Sequence, residues 1–183
     1  MNNDEIAFSK VNIILGMFGE FFFIYIGADM FLNGDHYETN THYNRYLIDV
    51  IFPLSCFFVL ITIIPLISKL FSSEKGLVIT GNGIIINAIA PNFGLIKWED
   101  ISKIDVKEIM SKKFIIIHIV DTNVYLERVK NPVFLFFLKR KINNYHYLIS
   151  FSSVLLSINT EELLRLLQQS FKEYKKLDST EMN

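Results

Sequence analysis

The stretch Leu47–Phe71 reads LIDVIFPLSCFFVLITIIPLISKLF, and it decides how the rest of the chain is interpreted. Between Val50 and Ile67 it has no charged side chain, over about the length that a helix needs to cross the hydrocarbon core of a bilayer. A surface helix of a soluble protein would carry a polar face at helical spacing, and this stretch does not. The sequence therefore predicts a transmembrane helix here.

A second apolar stretch, Val11–Leu32, precedes the first, and we expect it to form another membrane helix. Glu20 lies near its middle and Asp29 near its end, and an ionisable side chain at mid-bilayer costs roughly a few kcal/mol. The many Phe and Ile residues around them outweigh that cost. Asp4 and Glu5 stand where a secretory signal has basic residues, so we expect this stretch to be retained.

The polar link Asn33–Tyr46 joins the two stretches, and its one basic residue is Arg45. Lys10 precedes the hairpin, whereas Lys69, Lys75 and many further bases follow it. Because Lys and Arg concentrate in the cytoplasmic flanks of membrane helices, the link is predicted to lie outside and both termini in the cytoplasm. The chain is therefore expected to cross the membrane twice.

Composition agrees with a membrane-anchored chain. Hydrophobic residues make up 51% of the 183 residues, and the mean hydropathy is +0.32. Residues 1–68 hold two bases and seven acids, a formal charge of −5, while residues 69–183 hold 16 bases and 12 acids, a charge of +4. A basic domain suits the anionic inner surface of a membrane. The single cysteine, Cys56, excludes an intrachain disulfide.

Beyond Phe71 the pattern changes to alternating apolar and polar residues separated by turns such as Gly81-Asn82-Gly83, which is typical of β-strands. The predicted strands cover residues 76–80, 84–89, 95–98, 103–107, 114–120, 124–129 and 147–156. We therefore divide the chain into a transmembrane hairpin, residues 1–71, and a cytoplasmic domain, residues 72–183.

The chain is predicted to close with an amphipathic helix. Asn159 can cap it, with Glu162 at the third helical position in a capping-box relation. An apolar stripe suited to covering a sheet follows, formed by Leu163, Leu167, Phe171 and Tyr174. Antiparallel strands followed by one such helix give an α+β fold.

A strand, a Gly turn, a second strand, the spacing Ile96-x-Trp98-x-x-Ile101-x-x-Ile104 and a terminal helix together resemble the bacterial PH-like domains. With two preceding membrane helices, the chain from Val11 to Lys176 resembles uncharacterised bacterial membrane proteins built to this plan. That resemblance implies a location in a bacterial inner membrane. The resemblance implies a strongly bent, partly open antiparallel barrel of about seven strands, closed at one end by the helix. It implies no enzymatic activity and no cofactor.

Two polar side chains in the hairpin are candidate site residues. Glu20 is predicted to lie at the depth of residues 59–62 of the antiparallel second helix. An intramembrane carboxylate can serve a proton relay, an ion path or a helix–helix contact. The simpler interpretation is a neutral Glu20 that donates a hydrogen bond to Thr62 or Ser55 across the hairpin.

A third candidate is the segment Asn131–Ile142, NPVFLFFLKRKI. Its aromatic residues run directly into a basic cluster, and together they form the predicted contact set: Phe134, Phe136, Phe137, Lys139, Arg140 and Lys141. Aromatic rings beside cations suit a lipid surface or a partner protein. The alternative is a short helix or strand that covers the barrel and ends in a solvated basic turn.

Other kinds of site are weakly supported. His36 and His42 lie on a short link that could complete a zinc site only with a partner chain, so no metal site is expected. The turn Thr80–Gly83, where PH domains carry phosphoinositide-binding bases, contains no Lys or Arg, so phosphoinositide recognition is not expected. Lys139–Lys141 is the one tight basic cluster, which gives little support for nucleic-acid binding. We find no catalytic constellation.

Two functions remain. The first is a non-enzymatic, membrane-anchored interaction module that presents a PH-like domain to lipids, to a protein partner or to further copies of itself. The alternative is a membrane-resident immunity protein that neutralises a secreted, membrane-active toxin, with Glu20 and the link His36–Arg45 as contact points.

Overall fold

The computed structural model describes residues 3–33 and 45–181, which form two compact units. One unit is Lys10–Ser73, and the other joins Met1–Ser9 to Glu74–Asn183. We call them the hairpin unit and the β-rich unit. The division differs from the one predicted from sequence, because the first residues of the chain belong to the β-rich unit. Their strand is too short to show a periodic pattern.

The hairpin unit consists of α1 (Lys10–Leu32) and α2 (Arg45–Phe71), which pack against each other. A Cβ added at Gly27 would lie 2.7 Å from the ring of Phe52, so the glycine permits this close approach of ring to backbone. The Phe52 ring also stacks on that of Phe31, with centroids 5.2 Å apart. Small residues that let helices approach closely are typical of membrane helix pairs.

Most apolar side chains of the hairpin unit face outward. Phe23 is 75% exposed and Phe57 62% exposed, and only 6% of the most apolar window of each helix is buried. A core helix of a soluble protein would be mostly buried instead. The structure thus confirms two helices, Lys10–Leu32 and Asp49–Phe71, whose length and composition suit a membrane span. His36 and His42, which were weighed as zinc ligands but not expected to bind metal, lie outside the described residues.

The first sheet has four antiparallel strands in the order β1 (Asp4–Ile6), β2 (Leu77–Thr80), β3 (Gly83–Ile86) and β4 (Leu95–Lys97). β1 precedes the hairpin in the chain, yet it pairs with β2, which follows the hairpin, with Asp4 opposite Ile79. Gly83 lies so close to the backbone of Ile96 in β4 that an added Cβ would overlap it. The predicted Gly turn is therefore also a point of close strand contact.

The second sheet contains β5 (Ile101–Ile109), β6 (Lys112–Ile119) and β7 (Ile149–Phe151), in that order and all antiparallel. Met110 and Ser111 connect β5 to β6 with φ angles of 50° and 60°, the left-handed conformation of a two-residue hairpin turn. The predicted barrel is thus two separate sheets among the described residues, and no closed barrel forms there.

Three helices complete the β-rich unit: α3 (Asn123–Leu126), α4 (Pro132–Tyr145) and α5 (Thr160–Glu181). The strand predicted over residues 124–129 is wrong, because α3 occupies its start. The buried residues of segment 124–129 are Tyr125, Leu126 and Val129, and they recur at helical rather than alternating spacing. The strand predicted over 147–156 is confirmed for β7 alone, and a short 3₁₀ turn, Ser153–Leu155, follows it.

The terminal helix α5 is confirmed, together with its cap. The Asn159 side-chain oxygen accepts a hydrogen bond from the Glu162 backbone N–H at 2.9 Å. Leu163 and Leu167 are fully buried, and α5 packs against β5 and β6. The rings of Phe171 and Trp98 lie 6.1 Å apart. The predicted stripe therefore covers the sheets, and the α+β class is confirmed.

Candidate functional site

Helix α4 is held in place by defined caps at both of its ends. The Asn131 side chain accepts hydrogen bonds from the backbone N–H groups of Val133 (2.9 Å) and Phe134 (3.4 Å), and Pro132 occupies the first turn. At the other end His146 adopts the left-handed conformation, and its N–H donates to the Ile142 carbonyl at 2.8 Å. The segment predicted as a short helix or strand is thus a helix of 14 residues.

One side of α4 packs on the β-rich unit. Leu138 is buried, and Leu135 and Ile142 pack against the hydrophobic core from partly buried positions. These three residues recur at intervals of three and four, which places them on one helical face. The covering role considered from sequence is therefore correct for this face.

The opposite side of α4 exposes apolar residues and two cations. Val133, Phe136 and Phe137 are 61%, 62% and 60% exposed, and the two rings meet edge to face with centroids 5.7 Å apart. Arg140 lies three and four residues beyond the rings, so it shares their face, and the exposed Lys139 flanks it. We call these five residues the α4 outer face. Phe134, at 40% exposure, lies between the two faces.

Lys141 does not belong to the outer face. Its ammonium group donates hydrogen bonds to the Leu148 carbonyl at 3.0 Å and to the Ser150 hydroxyl at 2.8 Å. It also lies 5.3 Å from the centre of the Tyr147 ring. Burial lowers the pKa of Lys141 to about 8. The side chain therefore fastens α4 to β7, although the sequence placed it with its basic neighbours.

The polar pair predicted within the hairpin does not form. The Thr62 hydroxyl lies 3.1 Å from the carbonyl oxygens of both Phe58 and Val59 in its own helix, and Ser55 similarly donates to Phe52. One carboxylate oxygen of Glu20, Oε2, is buried and has no hydrogen-bond partner among residues 3–33 and 45–181. A buried polar atom without a partner is costly, so Glu20 is a polar group that the hairpin unit leaves unsatisfied.

A polar cluster that the sequence analysis missed protects the exposed edge of β4. The Tyr125 hydroxyl donates to the Asp100 carboxylate at 2.6 Å, and burial together with this bond raises the pKa of Tyr125 to about 12. The Arg128 guanidinium lies 4.3 Å from the centre of the same ring and donates to the carbonyls of Phe93 and Leu95. Capping an edge strand prevents further strand pairing, so the cluster has a structural role.

One concave feature of the β-rich unit suggests no chemistry. An open cavity of about 320 Å³ is lined by Asn82, Leu95, Lys97, Glu99 and Tyr174, and its Lys97 and Glu99 pair with each other at 2.8 Å. Within the described ranges 3–33 and 45–181, no group of three or more His, Cys, Asp or Glu side chains could hold a metal ion. The α4 outer face is thus the strongest candidate site for a partner.

No protein-family model, curated protein or solved structure matches the chain.

Proposed function

We propose that this protein is a membrane-anchored, non-enzymatic interaction module. The hairpin unit is the anchor, and the β-rich unit, a PH-like domain, is presented to lipid or protein partners at the inner face of a bacterial membrane. Binding rather than catalysis is assigned to the β-rich unit, because its part-buried polar cluster of Tyr125, Asp100 and Arg128 supports the fold and the α4 outer face is apolar and basic.

The pairing of β1 with β2 carries this proposal. β1 ends at Ile6 and β2 begins at Leu77, directly opposite it, so the hairpin is inserted between two neighbouring strands of one sheet. Beyond β1 the chain stays attached to the same unit, since the Ser9 N–H donates to the Leu155 carbonyl at 2.9 Å. Both strands must then lie on the same side of any membrane that the hairpin crosses. Two spans meet this requirement, and one span does not.

The PH-like assignment is supported by the order of elements. Antiparallel strands precede a capped helix whose apolar stripe covers them, and the Trp98 of the resemblance is buried in the core, where its indole N–H donates to the Thr80 carbonyl at 2.9 Å. The separation of the strands into two sheets departs from the barrel that the resemblance implies. The cytoplasmic side is supported by the +4 charge of residues 69–183.

A cysteine pair tests the arrangement in living cells. In a Cys56→Ser background, Glu5→Cys and Val78→Cys place two thiols on directly opposed residues of β1 and β2. Opposed residues of antiparallel strands have Cα atoms about 4.5–5.5 Å apart, which lies in the range of roughly 4.4–6.8 Å that disulfides span. We expect an oxidant to link them within one chain, as read by a gel shift after thiol alkylation. The matched control, Glu5→Cys with Ile85→Cys, should stay unlinked because β2 lies between the two positions.

Single-cysteine variants report on which side of the membrane each part of the chain lies. A membrane-impermeant maleimide should label Glu5→Cys and Lys172→Cys only after the inner membrane is opened. A cysteine in the link, such as Thr41→Cys, should be labelled in intact spheroplasts. Labelling of Glu5→Cys and Lys172→Cys from opposite sides would refute the anchored sheet, and full-length protein that is monomeric in buffer without detergent would refute the anchor itself.

Immunity to a membrane-active toxin remains the second candidate, supported by the unpartnered Oε2 atom of Glu20. An incoming helix could supply a hydrogen-bond donor if the hairpin unit opens around this buried atom. Co-expression with a membrane-active toxin encoded beside this gene separates the two proposals. Protection that is lost in Glu20→Leu and kept in Glu20→Gln would favour immunity, whereas an absence of protection would exclude it for that toxin.

A further inference from the structure

We propose that the α4 outer face docks on the surface of an anionic phospholipid membrane. This inference deepens the proposed function and rests on it, because a tethered β-rich unit meets the bilayer at a high effective concentration. The proposed function leaves the partner open between lipid and protein, and here the partner of the α4 outer face is lipid.

The first argument is the contiguity of the exposed apolar side chains. Single exposed apolar residues are common on soluble domains, but here Val133, Phe136 and Phe137 adjoin one another on one helical face. In the same helix Leu138 is buried, so α4 has apolar residues on both of its sides. A helix whose second apolar side faces outward needs a cover, and aromatic rings suit the boundary between head groups and acyl chains.

The second argument is charge. From Pro132 to Tyr145 the helix has no acidic residue, and Arg140 lies within the outer face with Lys139 beside it. Long basic side chains can lay their aliphatic stems along apolar surface while their charged ends reach lipid phosphates. An anionic bilayer therefore complements the rings and the cations of this face together.

Charge also argues against a second copy of the chain as the cover. A symmetric dimer through this face would gather four cations in one interface, Lys139 and Arg140 from each copy. The face offers no carboxylate to neutralise them. Like charges opposed across an interface weaken association, so self-association through α4 is disfavoured.

The third argument is that α4 is already formed and fixed. Asn131 caps one end, His146 closes the other, and Lys141 attaches the helix to β7 through two hydrogen bonds. Docking on a membrane therefore requires no folding step, unlike the binding of a disordered amphipathic segment. A weak surface contact can then persist.

The test uses the full-length protein in lipid nanodiscs. In a Cys56→Ser background, Asn144→Cys carries an environment-sensitive fluorophore, because residue 144 is exposed and lies seven positions after Phe137 on the same face. We expect a blue-shifted emission and quenching by spin-labelled lipid in phosphatidylglycerol-containing discs. Both should be weak in phosphatidylcholine discs, and raised salt should reduce them. A label at Lys172→Cys on α5 serves as the control.

Two sets of variants identify the side chains responsible. Lys139→Gln with Arg140→Gln should weaken the contact by about 25-fold, taking about fivefold for each basic side chain at an anionic surface. Lys172→Gln with Lys176→Gln removes the same charge from exposed positions on α5 and should leave the contact unchanged. Phe136→Ser with Phe137→Ser should abolish the quenching. Trp98 fluorescence confirms in each case that the β-rich unit is folded.

Other outcomes overturn the inference. A label that stays solvent-exposed in anionic discs would show that the face does not dock on lipid. A shift that is equal in both lipids and grows with the number of chains per disc would identify a second copy instead. Either result, obtained with protein that enters the discs, leaves the anchor intact. Failure to enter nanodiscs at all would instead overturn the proposed function.

Discussion

The hairpin unit and the β-rich unit use similar apolar side chains in opposite orientations. In α1 and α2 the large residues face outward, as Leu60 does at 60% exposure. In the β-rich unit Leu163, Ile84 and Ile115 are fully buried. The chain thus buries its large apolar residues in one part and exposes them in the other, as suits two helices with the length and composition of membrane spans. A bilayer accepts apolar side chains, whereas water drives them into a core.

Polar groups show the same contrast. In the β-rich unit the buried polar groups of Trp98 and Tyr125 each have a hydrogen-bond partner. In the hairpin unit Oε2 of Glu20 has none within the described ranges. The β-rich unit thus satisfies its buried polar groups internally, while the hairpin unit retains a group that another molecule could satisfy. Among the apolar groups of the β-rich unit, those of the α4 outer face are exposed instead of buried in the core.

The largest expected effect comes from one substitution made in both units. Leu163→Ala should lower the free energy of unfolding by roughly 2–5 kcal/mol, because it leaves a cavity in the core. Leu60→Ala should change it by under about 1 kcal/mol, since lipid or detergent fills the space. Denaturant unfolding of the full-length protein in micelles, followed by circular dichroism, measures both. Equal losses would mean that Leu60 is packed against protein and would break the comparison.

An intermediate effect is expected where the β-rich unit satisfies its polar groups. Tyr125→Phe removes the donor to Asp100 and the acceptor of the Lys97 backbone N–H, which lies at 3.2 Å. We expect a loss of roughly 1–3 kcal/mol of stability. Tyr145→Phe, at an exposed tyrosine, is the matched control and should be neutral. Denaturation monitored by Trp98 fluorescence measures both free energies of unfolding. If Tyr125→Phe leaves the stability unchanged, the cluster has no structural role.

A pH dependence from Lys141 is the smallest expected effect, because solvent around this partly exposed side chain screens the shift. Because burial lowers its pKa from 10.5 to about 8, the unfolded chain binds more protons than the folded chain between these values. Stability should therefore rise with pH from about 8 to 10.5 through this group, and fall again as pH returns to 8. Lys141→Met should remove that rise, and the exposed Lys139→Met should keep it. Identical pH profiles for wild type and Lys141→Met would show that the ammonium group is solvated.

The two apolar helices, the α+β class and the capped terminal helix could all be predicted from the sequence. Each leaves a long or locally complete signal: an uncharged run at Val50–Ile67, alternation with turn residues, or Asn159 followed by Glu162 at the capping spacing. The spacing of Val133, Phe136 and Phe137 was also present in the sequence. The run was too short for its period to separate a helix from a strand.

Which strands and helices contact one another could be seen only in the tertiary structure. The pairing of β1 with β2 joins residues separated by the whole hairpin, and no local pattern encodes such a contact. The helical conformation of α3 and the separation of the strands into two sheets were likewise not predicted. Lys141 bonds to β7, whereas its neighbours Lys139 and Arg140 are exposed, and the sequence did not distinguish these three bases. Local propensity and periodicity fix an element, but its partners are chosen by the burial and hydrogen bonding of the complete fold.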